Sequence, residues 1–198
     1  MKELASHQHF ALFKPYGYLS QFVNNQTTRK NKKLLGELYN FPENCMAIGR
    51  LDYHSEGLLL LTTDGKISEA IRSEKFEKEY YVQIDGIITD NAISELKKGV
   101  TISIEGKSFE TKEAIVKKLK STPKLPERAK KIRDERHGAT SWISIIIREG
   151  KFRQVRKMTA VVGFPTLRLV RVRIGEITME SMKAGTVKHL NLNELLKK

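Results

Sequence analysis

The chain has 198 residues, 39% apolar and 30% charged, which allows one generous domain with a real core and excludes a disordered polymer. A single cysteine, Cys45, excludes an internal disulfide framework and a thiolate metal cluster, and the apolar run at Leu58–Leu61 is too short to span a bilayer. The net charge of +13 is the informative number, because residues 117–136 (nine basic, three acidic) and residues 148–173 (eight basic, one acidic) carry all of the excess. Clustered cations gain affinity for a polyanion by releasing counterions from its phosphates, so a nucleic-acid partner is expected. The start Met1-Lys2-Glu3-Leu4 lacks the apolar core of a secretory signal, and a cytoplasmic location is expected.

In chain order, His9 to Lys14 reads as a strand ended by the turn residues Pro15-Tyr16-Gly17. Residues Asn31 to Tyr39 place Leu34, Leu35 and Leu38 on one face of a short helix that Pro42 stops. A short strand at Met46–Ile48 precedes the buried run Leu58 to Thr63, which Asp64-Gly65 closes, and Lys66 to Ser73 reads as helix. Glu79 to Ile84 is β-prone, and Thr89 caps a helix reaching Lys98 with Ile93 and Leu96 inward. Val100 to Ile104 and Ala114 to Leu119 read as strands, and the charged, proline-bearing residues 120–139 as an exposed basic loop. Trp142 to Ile147 and Thr166 to Ile174 are strands around a helix from about Phe152 to Val162, whose core face is expected to carry Phe152, Val155, Thr159 and Val162. The elements alternate without a βαβ rhythm or a linker. The expected class is a single α+β domain with one mixed, largely antiparallel sheet flanked by helices and loops.

The segment with chemical interest is Gly49-Arg50-Leu51-Asp52-Tyr53-His54-Ser55-Glu56-Gly57 beside the buried run at Leu58. An aspartate on a loop held by a rigid strand is where catalytic groups sit, although any such aspartate can equally cap its own turn. Nothing in the chain has metal-ligand spacing, a phosphate-binding glycine loop or a nucleotide fingerprint. His7 and His9 read as an exposed pair near the terminus.

Gly49-Arg50-Leu51-Asp52, Glu56-Gly57 and Leu58 through Gly65 together resemble the active-site block of the RsuA-type pseudouridine synthases. Lys78-Glu79-Tyr80-Tyr81-Val82 is similar to that family's Lys-x-Tyr-x-Val strand, and Glu149 through Met158 to its third block. The opening Phe13-Lys14-Pro15-Tyr16-Gly17 and the stretch Val162 to Leu169 extend the match, which runs from about residue 9 to residue 190. Within the family the pattern is nearest to the E-type subgroup acting on large-subunit (23S) ribosomal RNA. About eight residues precede the first strand, too few for the S4-like domain that other relatives carry in front. Ser55 stands where many relatives have threonine.

The resemblance implies the pseudouridine synthase fold with a central catalytic cleft, and isomerisation of a flipped-out uridine without metal or cofactor. Breaking the glycosidic bond, turning the base and rejoining it through carbon needs an ionised carboxylate and a site that excludes water. It implies Asp52 as the catalytic carboxylate, Tyr80 against the base and Arg156 as its cationic partner, with Arg153 as the alternative partner. Tyr81, on the opposite side of the strand, is expected in the core. Arg50 resembles the family's arginine that fills the space left by the flipped base, and Arg50, Lys151, Arg153 and Lys157 are expected to contact RNA. Gly150 leaves a helix N-terminus open as a phosphate seat. The expected partner is ribosomal RNA, with the protein a monomer. A non-catalytic RNA-binding factor on the same fold is the alternative. A metal-dependent nuclease fits less well because the carboxylates are scattered.

Overall fold

The computed structural model describes residues 7–23, 31–132 and 135–196. Its main sheet has nine strands and is antiparallel everywhere except at one junction. The strands are β1 (His9–Lys14), β2 (Met46–Ala47), β3 (Glu56–Thr62), β4 (Lys78–Asp85), β7 (Ile115–Lys118), β8 (Thr140–Ile147), β9 (Thr166–Ile174), β10 (Ile177–Thr178) and β11 (Val187–Leu190). They run in the order β11-β1-β3-β9-β4-β8-β7, with β2 beside β3 and β10 beside β9, and a separate hairpin joins β5 (Thr101–Ile104) to β6 (Lys107–Glu110). The α-helices among the described residues are α1 (Gly65–Arg72), α2 (Asp90–Lys98), α3 (Gln154–Val161) and α4 (Leu192–Leu196).

Alternation along the strands divides the apolar residues among three cores. Phe10 and Leu12 of β1 meet Leu59 and Leu61 of β3 on one face, while Phe13, Leu58, Leu60, Val170 and Val172 fill the other. Val82, Ile84, Ile143 and Ile145 form the third core under α2 and α3. The seam between the two halves of the sheet is the junction of β3 with β9. These strands run parallel for only two pairs, Glu56 with Val170 and Gly57 with Arg171, and then part. Gly57 has φ of +104°, and a Cβ there would stand 2.3 Å from the Arg171 carbonyl oxygen, so the close approach of the two backbones requires glycine.

Thr89 caps α2 by accepting from the Ala92 N–H at 3.2 Å, as its position predicts, and Asp64 caps α1 in the same way. The helix expected over Asn31 to Tyr39 is a single 3-10 turn, Leu35–Glu37, with Gly36, a poor helix former, at its middle. Three expectations are corrected. Phe152 is not core: α3 starts only at Gln154, and Phe152 lies in the preceding turn, 63% exposed. His9 is buried on β1 with Nδ1 2.8 Å from Thr62 Oγ1, because strand pairing carries it under the sheet edge; His7 is exposed. The basic loop is docked in part, with Leu125 against the core of β1, β3 and β9 and Arg128 in a buried ion pair. Positions 133 and 134 of that loop lie outside the described residues.

Lys14, at the end of β1, is wholly buried and gives its ammonium only to the carbonyls of Pro15 (2.9 Å) and Tyr18 (2.8 Å). Burial pushes its pKa down from 10.5 to about 7, against the pull of Glu56 and Asp52. Between those two values the unfolded chain binds more protons than the folded one. The contribution of Lys14 to stability therefore rises with pH across that window and is least below about 7. The parent should gain stability relative to Lys14→Met between pH 7 and 10.5 in urea unfolding. An unchanged difference would mean that the amine titrates as if exposed.

Candidate active site

Asp52 sits on the loop between β2 and β3, where the chain cannot drift. Ser20 Oγ donates to the Leu51 carbonyl at 2.9 Å and accepts from the Leu51 N–H at 3.0 Å, clamping the residue before the aspartate. Behind it, Ser55 N–H closes a turn on the Asp52 carbonyl (3.0 Å), and Gly17 N–H bonds the Tyr53 carbonyl (2.9 Å). Ser20, the fully buried pin of this loop, is a functional residue that sequence reasoning missed: an isolated serine carries no periodic signal.

The carboxylate meets two arginines from the start of α3. Arg153 Nη1 donates to Asp52 Oδ2 at 3.1 Å, and Arg156 Nε lies 3.4 Å from the same oxygen. The alternative assignments thus converge, and both guanidiniums serve one carboxylate. They differ in setting, since the Arg156 side chain is 11% exposed and that of Arg153 40%. Arg156 Nη2 also donates to Ser55 Oγ at 3.1 Å, so position 55 needs a small hydroxyl, which serine and threonine both supply. Arg153 adopts φ +53° at the helix start, a left-handed conformation uncommon for a non-glycine residue. Gln154 stabilises this turn by donating to Glu149 Oε2 (2.8 Å) and accepting from the Lys151 N–H (3.0 Å). The same bond occupies an amide that Gly150 was expected to leave open. His54 has its pKa lowered by burial and then by the surrounding Arg156, Arg128 and Arg153, a measure of the positive field around the loop.

Asp52 opens onto a cavity of about 330 Å³, at the small end of ligand pockets. Arg50, Ser55, Tyr80, Lys151, Arg153, Leu169 and Arg171 are among its lining residues. Tyr80 is 8% exposed and belongs to the core beneath α3, whereas Tyr81 packs against the core on the opposite face, as alternation requires. Arg50 and Lys151 are exposed at the rim. Lys157 stands apart from the cavity, donating to the Ser103 carbonyl at 2.6 Å. Buried charge not foreseen includes Glu56, gripped by Arg128 (3.0 Å) and by Nε and Nη2 of Arg168 (3.1 and 2.9 Å), and the cations Lys78 and Arg171. Among the described residues, no group of three His, Cys, Asp or Glu side chains could hold a metal ion.

The arrangement is a carboxylate held by two guanidiniums beside a cavity with an aromatic ring in its wall. A family model described as RNA pseudouridylate synthase matches residues 8–161. The chain belongs to the RNA pseudouridylate synthase family. It is 40% identical over 176 residues to the ribosomal large subunit pseudouridine synthase E of Xanthomonas campestris pv. campestris, covering 88% of this chain and 90% of that one. The corresponding E-type protein of Vibrio parahaemolyticus is 38% identical over 181 residues, 90% and 72% of the two chains. A crystal structure of a pseudouridylate synthase covers all of this chain, and 76% of its own is covered, at a TM-score of 0.75 and 26% identity. The expected pseudouridine synthase fold, α+β around a mostly antiparallel sheet, is borne out.

In a pseudouridine synthase built this way, a test can separate the two arginines. Arg156→Met removes the buried partner of Asp52 and is expected to slow single-turnover isomerisation by roughly 10- to 100-fold, the worth of a charge-assisted contact. Arg156→Lys should retain more activity, since it keeps the charge and loses only the fork geometry. The more exposed Arg153→Met should cost less than Arg156→Met. The reverse order at saturating enzyme would make Arg153 the principal partner.

Proposed function

We propose that this protein isomerises a uridine of large-subunit (23S) ribosomal RNA to pseudouridine, acting as a monomeric single catalytic domain in the cytoplasm without metal or cofactor. Asp52 is the catalytic carboxylate, Tyr80 lies against the base, and Arg156 with Arg153 orients Asp52. Arg50, Lys151 and Lys157 contact the RNA. The observation that carries this reading is the Asp52 carboxylate held by two guanidiniums beside a cavity with Tyr80 in its wall. The names of the E-type relatives supply the substrate. No helix among the described residues is long and apolar enough to cross a membrane.

The roles follow from the chemistry. The target atoms are hidden while the uridine is stacked, so the base leaves the stack at a cost of a few kcal/mol. On this reading Arg50, exposed at the rim, enters the vacated space, and the basic segments offset the cost through phosphate contacts. Tyr80 offers the loosened uracil a flat surface on which to turn. Mapping pseudouridines in 23S ribosomal RNA from cells with and without the gene tests the substrate. Release of tritium from RNA labelled at uracil C5 tests the reaction, and EDTA should leave its rate unchanged. A full set of pseudouridines in the deletion strain would overturn the assignment.

A further inference from the structure

Two buried cations of the cavity wall have no role in holding Asp52. Arg171 lies on β9 directly across from Tyr80 on β4, so the two side chains share a face of the sheet. It is 5% exposed, and its Nε donates at 2.8 Å to the Leu58 carbonyl, which is free because β3 and β9 have parted there. Its Nη2 has no hydrogen-bond partner among the described residues. No carboxylate among them lies within ion-pairing distance of it. Lys78, 8% exposed in the same wall, donates only to the carbonyls of Ser73 (3.2 Å) and Arg148 (2.7 Å).

Unpaired buried cations and an unspent buried donor destabilise a fold, so a cavity wall that keeps them is preorganised for an electron-rich guest. The acids nearby are already engaged: Asp52 by Arg153 and Arg156, and Glu149 by Gln154 and the Lys112 N–H. The uracil ring carries two carbonyl oxygens and sits, on the reading above, against Tyr80 beside Arg171. When the C1′–N1 bond breaks, its electron pair leaves with the base, and the negative charge spreads over N1, O2 and O4. When C5 then bonds to C1′, the ring loses the C5 proton and N1 gains one, so the charge is transient. A guanidinium fixed beside those oxygens favours the charged stage over the neutral ends.

We propose that Arg171 is a catalytic residue whose guanidinium donates to a carbonyl oxygen of the flipped uracil and stabilises the charge that the base gains on leaving the sugar. This rests on the proposed reaction at Asp52, and the test keeps the two apart. Single-turnover tritium release is measured on an rRNA fragment spanning the uridine found by mapping, first with the parent enzyme. No release by the parent would count against the reaction itself, and with it this role. With the parent active, Arg171→Met should lower the rate by about 10²- to 10³-fold, the scale for removing one preorganised donor, while RNA affinity changes little. Retained rate in folded Arg171→Met overturns the proposal.

Because Arg171 also satisfies Leu58, the variant could lose its fold, and a second arm uses the parent enzyme alone. The same fragment is made with sulfur, a weaker acceptor, in place of O2 or of O4 at the target uridine. The proposal expects one of the two to slow the parent by tenfold or more, a factor worth about 1.4 kcal/mol, and thereby to name the oxygen. Where Arg171→Met folds, it should be insensitive to that same replacement. Parent rates unaffected by either sulfur overturn the proposal, as does an equal sulfur effect in parent and variant.

Discussion

Asp52→Asn is expected to abolish pseudouridine formation, by roughly 10⁴-fold or more in single-turnover rate, the scale seen when an enzyme loses its covalent or charge-bearing group. The amide fills the same space and still accepts a hydrogen bond from Arg153, but it has no negative charge to offer the sugar or the ring. The fold should be retained at some cost in stability, because Arg156, 11% exposed, loses its charged partner while the loop stays pinned through the neighbouring Leu51 by Ser20. RNA affinity should likewise hold, since phosphate contacts come from the basic segments. The outcome that would sink the assignment is tritium release at the parent's rate.

Glu56→Ala should be the most damaging change to stability near the site. Its carboxylate is 2% exposed and neutralises two guanidiniums, Arg128 at 11% and Arg168 at 12%, the latter in a bidentate grip. Removing the acid strands both cations, for which the cost is about 3–5 kcal/mol. That corresponds to a fall in melting temperature on the order of 10 °C for a chain of this size. The effect should extend to the basic loop, because Arg168 also holds the Pro126 carbonyl (2.8 Å) and Arg128 stacks on Tyr16 at 4.1 Å. Limited proteolysis should then cut near residues 120–132 in the variant before the parent. A melting temperature and a cleavage pattern like the parent's would show the loop to be held by other contacts.

The sequence exposed the elements whose signals are local. Runs of β-prone residues placed β4, β8 and β9, and Thr89 marked the start of α2 within a residue. What it hid depends on contacts between distant segments. Lys107, Ser108 and Glu110 gave β6 a polar cast, and it went unseen because its pairing with β5, not its own pattern, holds it. The C-terminal strand β11 escaped for the same reason, its residues 187–190 being half exposed on the edge beside β1. At the site, Asp52, Tyr80 and the two arginines were legible through the blocks around them. Lys14, Glu56 and Lys78 stood within those blocks with no role assigned, and Arg171 outside them, until the fold buried all four. Phe152 misled in the opposite sense, since an apolar residue at helical spacing looks like core even when it precedes the helix.

The parting of β3 and β9 after two parallel pairs also bears on how the protein folds. The β4–β8 ladder and the β1–β3 pair each assemble within one half of the sheet, but Asp52 and Arg153 are separated by 101 positions and meet only when the halves join. Contacts of such long sequence separation carry the largest loop-closure cost and are slow to form. During refolding, the fluorescence of Trp142 on β8 should therefore recover first, with enzymatic activity the later signal, reporting closure of a two-residue zipper.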